Sequence, residues 1–279
     1  HEGHALVKMD KDSNLVWGVT EPFHHDLEVL ENGHILILWR RDEVVPGLGR
    51  STPVISDYVA ELSPHGHVLR KTSIIRCMLN SAHAPLIHYM PDKEDVLHTN
   101  TLEWLDGSQR HVNPAFKRGN VLVCLREINC LAVLDLEQQK LVWALGGMWH
   151  RPHQPVLLDN GNMLLFDNRG FHGRSRILEF NPLTQEMAWK YGEAPGQHLR
   201  SKIIGSVARL PNGNTLITES SAGRALEVTP DKDIVWEWVS PHKTPNHKRM
   251  PYVHEMQRLP LDFPIDWASG APELKTETD

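Results

Sequence analysis

The sequence predicts an all-β fold, a single β-propeller of five four-stranded blades, or six if one surplus segment forms a further blade. Three observations carry this prediction. An Asn-Gly-type turn recurs between apolar runs. A second pair of short apolar runs follows each such hairpin. The whole unit repeats at a pitch of roughly 50 residues, as propeller blades do. No stretch carries long helical periodicity, which argues against a parallel α/β sheet.

The first hairpins are Val29–Gly33 running into His34–Leu38, Leu157–Gly161 into Asn162–Phe166, and Arg209–Gly213 into Asn214–Ile217, with Gly119–Val123 as a weaker copy. Asn-Gly between β-prone runs is a strong hairpin signal, because both residues tolerate positive φ. The second hairpins begin at Tyr58–Leu62, Leu131–Asp135, Arg176–Phe180 and Arg224–Val228. Their last strands carry Trp143, Trp189 and Trp236, read here as outer-strand packing. The unit after Tyr58 has Val68-Leu69 instead.

The chain ends are half-units. Ala5–Asp10 and Leu15–Trp17 look like the second half of a blade, and Val253–Pro260 like a first strand. The two ends are expected to pair into one shared blade, which closes the ring and removes open sheet edges. The propeller is expected to span residues 1–270, with 271–279 a polar tail. Ser73–Asp95 is surplus, either a long loop or part of a sixth blade.

Composition narrows the function classes. The chain has 279 residues, 40% hydrophobic and 23% charged, which suits a soluble globular protein with a sizeable core. A net charge of -6 with no basic stripe speaks against nucleic acid as a partner. No apolar run approaches the ~18 residues of a membrane span. The sequence opens on His1 rather than Met, so any signal peptide lies outside it. Cys124 and Cys130 face each other across an expected turn; a cross-strand disulfide fits the spacing, but two free thiols is the reading taken.

The 18 histidines are the unusual feature. His25 and His153 each stand seven residues before the Asn of their turn, and His254 seven before Leu261 in the matching slot. His98 opens the corresponding strand of the second unit, and only the fourth unit departs, with Gly205. Innermost strands line a propeller's channel, so these four histidines are expected to meet at one mouth. The second strands return there with Arg40, Arg41, Arg126, Asn168, Arg169 and Glu219. Imidazoles and guanidiniums around one concavity suit an anionic ligand. A single repeated His can merely cap a strand; four in register are read as functional. His34, His65, His67, His111, His172, His198, His242 and His247 are read as surface residues.

The segments His24-His25-Asp26-Leu27, Leu97-His98-Thr99-Asn100, Leu125-Arg126-Glu127-Ile128-Asn129, and His153 with Leu165-Phe166-Asp167-Asn168 resemble the bacterial arylsulfotransferases of the propeller type. The resemblance runs from about Ala5 to Pro260. It implies transfer of a sulfuryl group from a phenolic sulfate ester to a phenol, without nucleotide donor, cofactor or metal, in a periplasmic or secreted protein. It implies His153 as a nucleophile that becomes sulfated, His98 and Asn100 as the family's His-x-Asn, Arg126 as holder of the sulfate oxygens, and His25 as a further active-site histidine. His254 and Asn168 are added as substrate-binding residues. The chain departs from the family in having five blades and no extra N-terminal β-domain, and Trp39, Trp104, Trp149 and Tyr252 are the candidates to clamp a phenol. Two other readings stay open: a metal-dependent hydrolase or lyase built on the histidine ring, and a non-catalytic binding or scaffold propeller.

Overall fold

In the computed structural model, residues 3–242, 251–260 and 262–264 are described. Two strands open the chain, β1 (Leu6–Met9) and β2 (Leu15–Val19), paired only with each other. Four blades follow, each a four-stranded antiparallel meander. The first holds β3 (Phe23–Val29), β4 (Ile35–Glu43), β5 (Val54–Leu62) and β6 (Val68–Ser73). The second holds β7 (Thr99–Trp104), β8 (Val121–Leu125), β9 (Cys130–Asp135) and β10 (Lys140–Gly146). The third holds β11 (Pro152–Leu157), β12 (Met163–Phe171), β13 (Arg174–Phe180) and β14 (Met187–Tyr191), and the fourth β15 (Ser206–Arg209), β16 (Thr215–Glu219), β17 (Arg224–Val228) and β18 (Ile234–Val239).

The predicted turns form as their residues dictate. Gly33, Gly161 and Gly213 take φ of 80°, 79° and 85°, a region a side chain resists. In all three turns the Gly N–H donates to the carbonyl three residues back, Leu30, Leu158 or Leu210. The middle strands read as nearly unbroken apolar runs because both faces are covered by neighbouring blades. Thus β8 and β9 are buried throughout, whereas β18 on the rim is mostly exposed. The core is divided into slabs between successive sheets rather than gathered in one mass. Trp143, Trp189 and Trp236 lie on the outer strands, as expected; Trp189 Nε1 donates to the Pro230 carbonyl of the next blade at 2.8 Å.

Two expectations need correction, the number of blades and the blade shared by the chain ends. The blades of four strands number four among the described residues, not five or six. The N-terminal half-blade does sit where a fifth blade's outer strands belong: Trp17 of β2 donates to the Pro64 carbonyl at 3.1 Å, repeating the Trp189 contact. Residues 253–258 likewise occupy an innermost position beside the fourth blade. Arg258 meets Glu227 at 2.6 Å as Arg209 meets Glu179 at 2.5 Å. The ends thus supply counterparts of strands one, three and four. The second strand, which would join them, has no counterpart among the described residues, so no ladder closes the ring there. Leu261 and the tail 271–279 lie outside the described residues, as does His247.

The surplus segment builds no blade. Ser73 Oγ caps a short helix, α1 (Ile74–Leu79), by accepting from Arg76 N, and a 3-10 turn follows at Ala84–Tyr89. Ile74, Ile75, Cys77 and Met78 seal the slab between the first two blades. The segment then returns to β5, where Asp95 bridges Ile55 just before His98. The cysteines are free and buried. Cys124 pairs across the ladder with Leu131, not Cys130, and the two thiols pack into different slabs, so no disulfide joins them.

Candidate active site

His25, His98, His153, His254, Arg126 and Asn100 line one cavity of about 550 Å³. The predicted convergence is therefore present. It does not arise from equivalent positions. His153 follows Pro152, which faces Asp167 on β12; the matching residue on β7 is Thr99, opposite Leu125, so Asn100 takes the place of His153 and His98 lies two residues earlier. On β3, four steps from Phe23 to Leu27 face two steps on β4, whereas on β7 and β11 three steps face two. These bulges of unequal length swing the three histidines to a common height. His25, His98 and Gln154 hold φ of 54°, 48° and 48°, backbone strain gathered at the cavity wall. In the fourth blade the innermost ladder, β15 with β16, has no bulge and no His. A Cβ on Gly205 would lie 2.7 Å from three atoms of the buried Phe166 ring, so that ring already fills the space.

His153 is the most completely specified side chain. Its Nδ1 donates to Asn168 Oδ1 at 2.7 Å, with the Arg151 carbonyl at 3.3 Å. Asn168 has no freedom to turn its amide, because Nδ2 donates to the Ser201 and Ile204 carbonyls at 2.6 and 3.0 Å. Oδ1 must face the ring, Nδ1 must carry the hydrogen, and Nε2 is left with the lone pair. Burial, with Arg126 nearby, lowers the His153 pKa to about 3 despite that bond, so the ring is neutral. Asn168 itself is wholly buried behind His153 and outside the cavity wall. Expected as a substrate-binding residue, it stands outside the cavity wall and contacts His153.

His98 donates from Nδ1 in a short bond to Asp95. Burial would raise the Asp95 carboxyl, but the His98 bond and charge outweigh it and hold it below its ordinary value. Arg126 is anchored through Glu127, a nearly buried carboxylate that also holds Arg151 at 3.0 Å and Lys93 at 2.7 Å. Asn100 Nδ2 donates to the Pro152 carbonyl at 2.9 Å, tying β7 to the residue before His153. His25 meets His98 edge-on, ring centroids 4.8 Å apart, and burial with the charges of His24 and His98 lowers its pKa to about 2.

Several expected contributors lie elsewhere. Arg40, Arg41, Arg169 and Glu219 are not in the wall; Arg41 pairs with Glu43 at 2.7 Å, and Glu219 with Arg224 at 3.2 Å. None of the four aromatic candidates lines the cavity. Trp39 packs on Tyr58 and under Lys71, Trp104 under Arg118, Trp149 on Phe180, and Tyr252 borders a separate cleft. Apolar contact in the wall comes from Ile203 and Ile204 instead. His24, Asp26, Gln154 and Glu255 also line it and were not selected from the sequence, although the tandem His24-His25-Asp26 carried a signal. Among the described residues, no three His, Cys, Asp or Glu side chains are grouped to hold a metal ion.

The family model for arylsulfotransferases (ASST) matches residues 3–241. The chain belongs to the arylsulfotransferase family. No curated protein matches the sequence. Among solved structures, the β-propeller domain of Cps50 (Swd1) from Myceliophteria thermophila is 10% identical at a TM-score of 0.52, covering 87% of this chain and 68% of that one. At that identity the likeness speaks for the propeller fold alone. The Dos1 propeller (11% identical, TM-score 0.49, 86% of this chain) and a streptogramin B lyase (12%, 0.48, 87%) also match. This arylsulfotransferase-family chain spans 54% of the Dos1 chain and 63% of the lyase chain.

Proposed function

We propose that this chain transfers a sulfuryl group from an aryl sulfate to a phenolic acceptor through a sulfohistidine on His153, in a periplasmic or secreted setting. The observation that carries the reading is the tautomer set by Asn168: a neutral imidazole whose Nε2 lone pair is the nitrogen available on the cavity side. Neutral imidazole is a competent nucleophile near pH 7, and a covalent intermediate splits one hard transfer into two easier ones.

In the first half-reaction His153 Nε2 attacks sulfur, and the sulfur–oxygen bond to the aryl group breaks. Its electron pair goes to the phenolic oxygen, which takes a proton. His98, held through Nδ1 by Asp95 and standing in the cavity wall, is the group placed to make that donation. Arg126, held by Glu127, offers donors to the sulfuryl oxygens as charge spreads over them. In the second half-reaction the acceptor hydroxyl attacks sulfur, the sulfur–nitrogen bond breaks, and the pair returns to His153. His254 and Asn100 complete the wall around the sulfuryl group.

Brief exposure to 4-nitrophenyl sulfate without acceptor, followed by intact mass and peptide mapping, tests the reading. The expected product is an acid-labile sulfuryl adduct on His153, absent in His153→Ala and discharged by a phenol. Absence of any adduct and of released nitrophenol overturns the reading for aryl sulfates.

A further inference from the structure

Beside the catalytic cavity runs a cleft of about 530 Å³ that the chemistry above does not use, walled by Arg169, Arg200, Lys202, Ser221 and Tyr252. Ile203 lines both cleft and cavity, so the two adjoin. Arg200 and Lys202 also border a further hollow of about 470 Å³, which carries Arg174 and His198. No Asp or Glu lines either space, although the chain has a net charge of -6. Most Arg and Lys side chains among the described residues face a carboxylate, as Arg151, Arg176, Arg209 and Arg224 do. Arg169, Arg174, Arg200 and Lys202 have no such partner among the described residues, and all four gather here. Glu219 is taken up by the backbone N–H of Arg200 and by the Arg224 guanidinium.

The chain fixes these cations in place. Burial alternates along 199–202: Leu199 and Ser201 are buried, Arg200 and Lys202 exposed, the period of an extended segment. Leu199 bridges Ser175, and Ser201 N donates to Ser175 Oγ at 2.8 Å. The Ser201 carbonyl accepts from Asn168, the residue that sets the His153 tautomer. One segment thus holds the nucleophile's partner on its buried side and presents two cations on its exposed side. Arg169, next in the chain to Asn168, donates from Nε to the Lys202 carbonyl at 3.1 Å. Its two terminal nitrogens have no partner among the described residues.

We propose that the ring of the aryl group lies against Ile203 and reaches into this cleft, where Arg169, Arg200 and Lys202 hold an anionic substituent, so that the substrates of this chain are carboxylate-bearing phenols and their sulfate esters. A guanidinium offers a carboxylate a planar fork of donors, and Lys202 adds a point charge. Departing and incoming phenols meet the same sulfur on the same nucleophile, so one subsite selects both. Which oxygen reacts rests on the sulfuryl-transfer reading; recognition of the carboxylate does not.

Two measurements separate them. The first is calorimetric binding of 3-(4-hydroxyphenyl)propanoate and of its neutral amide to the unmodified protein, which holds no sulfuryl group to transfer. The carboxylate is expected to bind about 10-fold tighter, the scale of two half-exposed charge pairs, and the difference to shrink as salt rises from about 0.02 to about 0.5 M. In the double variant Arg200→Gln, Lys202→Gln the two phenols should bind within about 3-fold of each other. Equal binding of both by the wild-type protein, or a preference that survives the double substitution, overturns the proposal. The second measurement compares kcat/KM for the two phenols as acceptors from the sulfated protein. The ratio should be about 10 in wild type and fall toward about 1 in the double variant. Slowing of both acceptors alike, with the ratio kept, indicates a merely structural role and overturns the proposal. Failure of wild-type protein to form the adduct with 4-nitrophenyl sulfate overturns sulfuryl transfer instead, and the binding result still decides the carboxylate subsite.

Discussion

Asn168→Ala removes the group that orients His153, and its effect follows from the bonds it breaks. Three are lost: 2.7 Å to His153 Nδ1, 2.6 Å to the Ser201 carbonyl and 3.0 Å to the Ile204 carbonyl. The two carbonyls keep other donors, Ser175 Oγ at 3.0 Å and Ser201 Oγ. At about 0.5–1.5 kcal/mol per bond, the loss is about 2–4 kcal/mol of stability. For a chain of this size that lowers Tm by about 4–16 °C. The catalytic consequence is separate. With its amide partner gone, His153 retains only the weaker Arg151 carbonyl at 3.3 Å to keep the hydrogen on Nδ1. Loss of about 1.4 kcal/mol of tautomer preference lowers the ratio of the nucleophilic to the other tautomer about 10-fold, and loss of ring orientation lowers the rate further. Rapid-quench measurement of adduct formation below the variant's Tm should therefore show a fall of about 10- to 100-fold. A variant that loses stability as calculated but forms the adduct at the wild-type rate refutes the assignment of Asn168 as the residue that sets the His153 tautomer.

Gly205→Ala should cost about 1–3 kcal/mol, read as a lower Tm, because the added methyl meets a fully buried Phe166 ring at 2.7 Å; an unchanged Tm means the ring has room to shift. Burial raises the Glu103 carboxyl to about 8 against the Leu157 N–H, with the Glu28 charge adding to the rise. The folded chain then binds a proton that the unfolded chain has released, so this group's contribution to stability is lost as pH rises from about 4.5 toward 8. Glu103→Gln mimics the protonated form, and its Tm relative to wild type should climb across that window; a constant difference refutes the shift. His24, His25 and His153, lowered to about 4, 2 and 3, act with the opposite sign. Each is neutral when folded and charges on unfolding below about 6.5, so stability should fall as pH drops through that value toward the folded values. Thermal denaturation of His153→Gln should show a shallower acid limb than wild type.

The propeller was legible because its signals are local. Asn32-Gly33, Asn160-Gly161 and Asn212-Gly213 each make the expected turn, and the apolar runs beside them become the buried middle strands. The gathering of His25, His98, His153 and Arg126 followed from chain order and the resemblance, since a meander returns each second strand to the same rim. The fifth blade is not completed among the described residues: the end segments match strands in pattern, while a blade also needs a second strand to carry hydrogen bonds between them, and none is present there. Tertiary structure decided the rest. Bulges of unequal length, invisible to residue spacing, set which atoms meet, so His153 and His98 converge from different register positions. Asn168 was expected to face substrate and instead stands behind His153, because the Ser201 and Ile204 carbonyls of the following segment claim its amide. Sequence order thus brought the right residue types to one mouth, and packing between blades determined which nitrogen of each ring carries a hydrogen, since that depends on contacts no local pattern encodes.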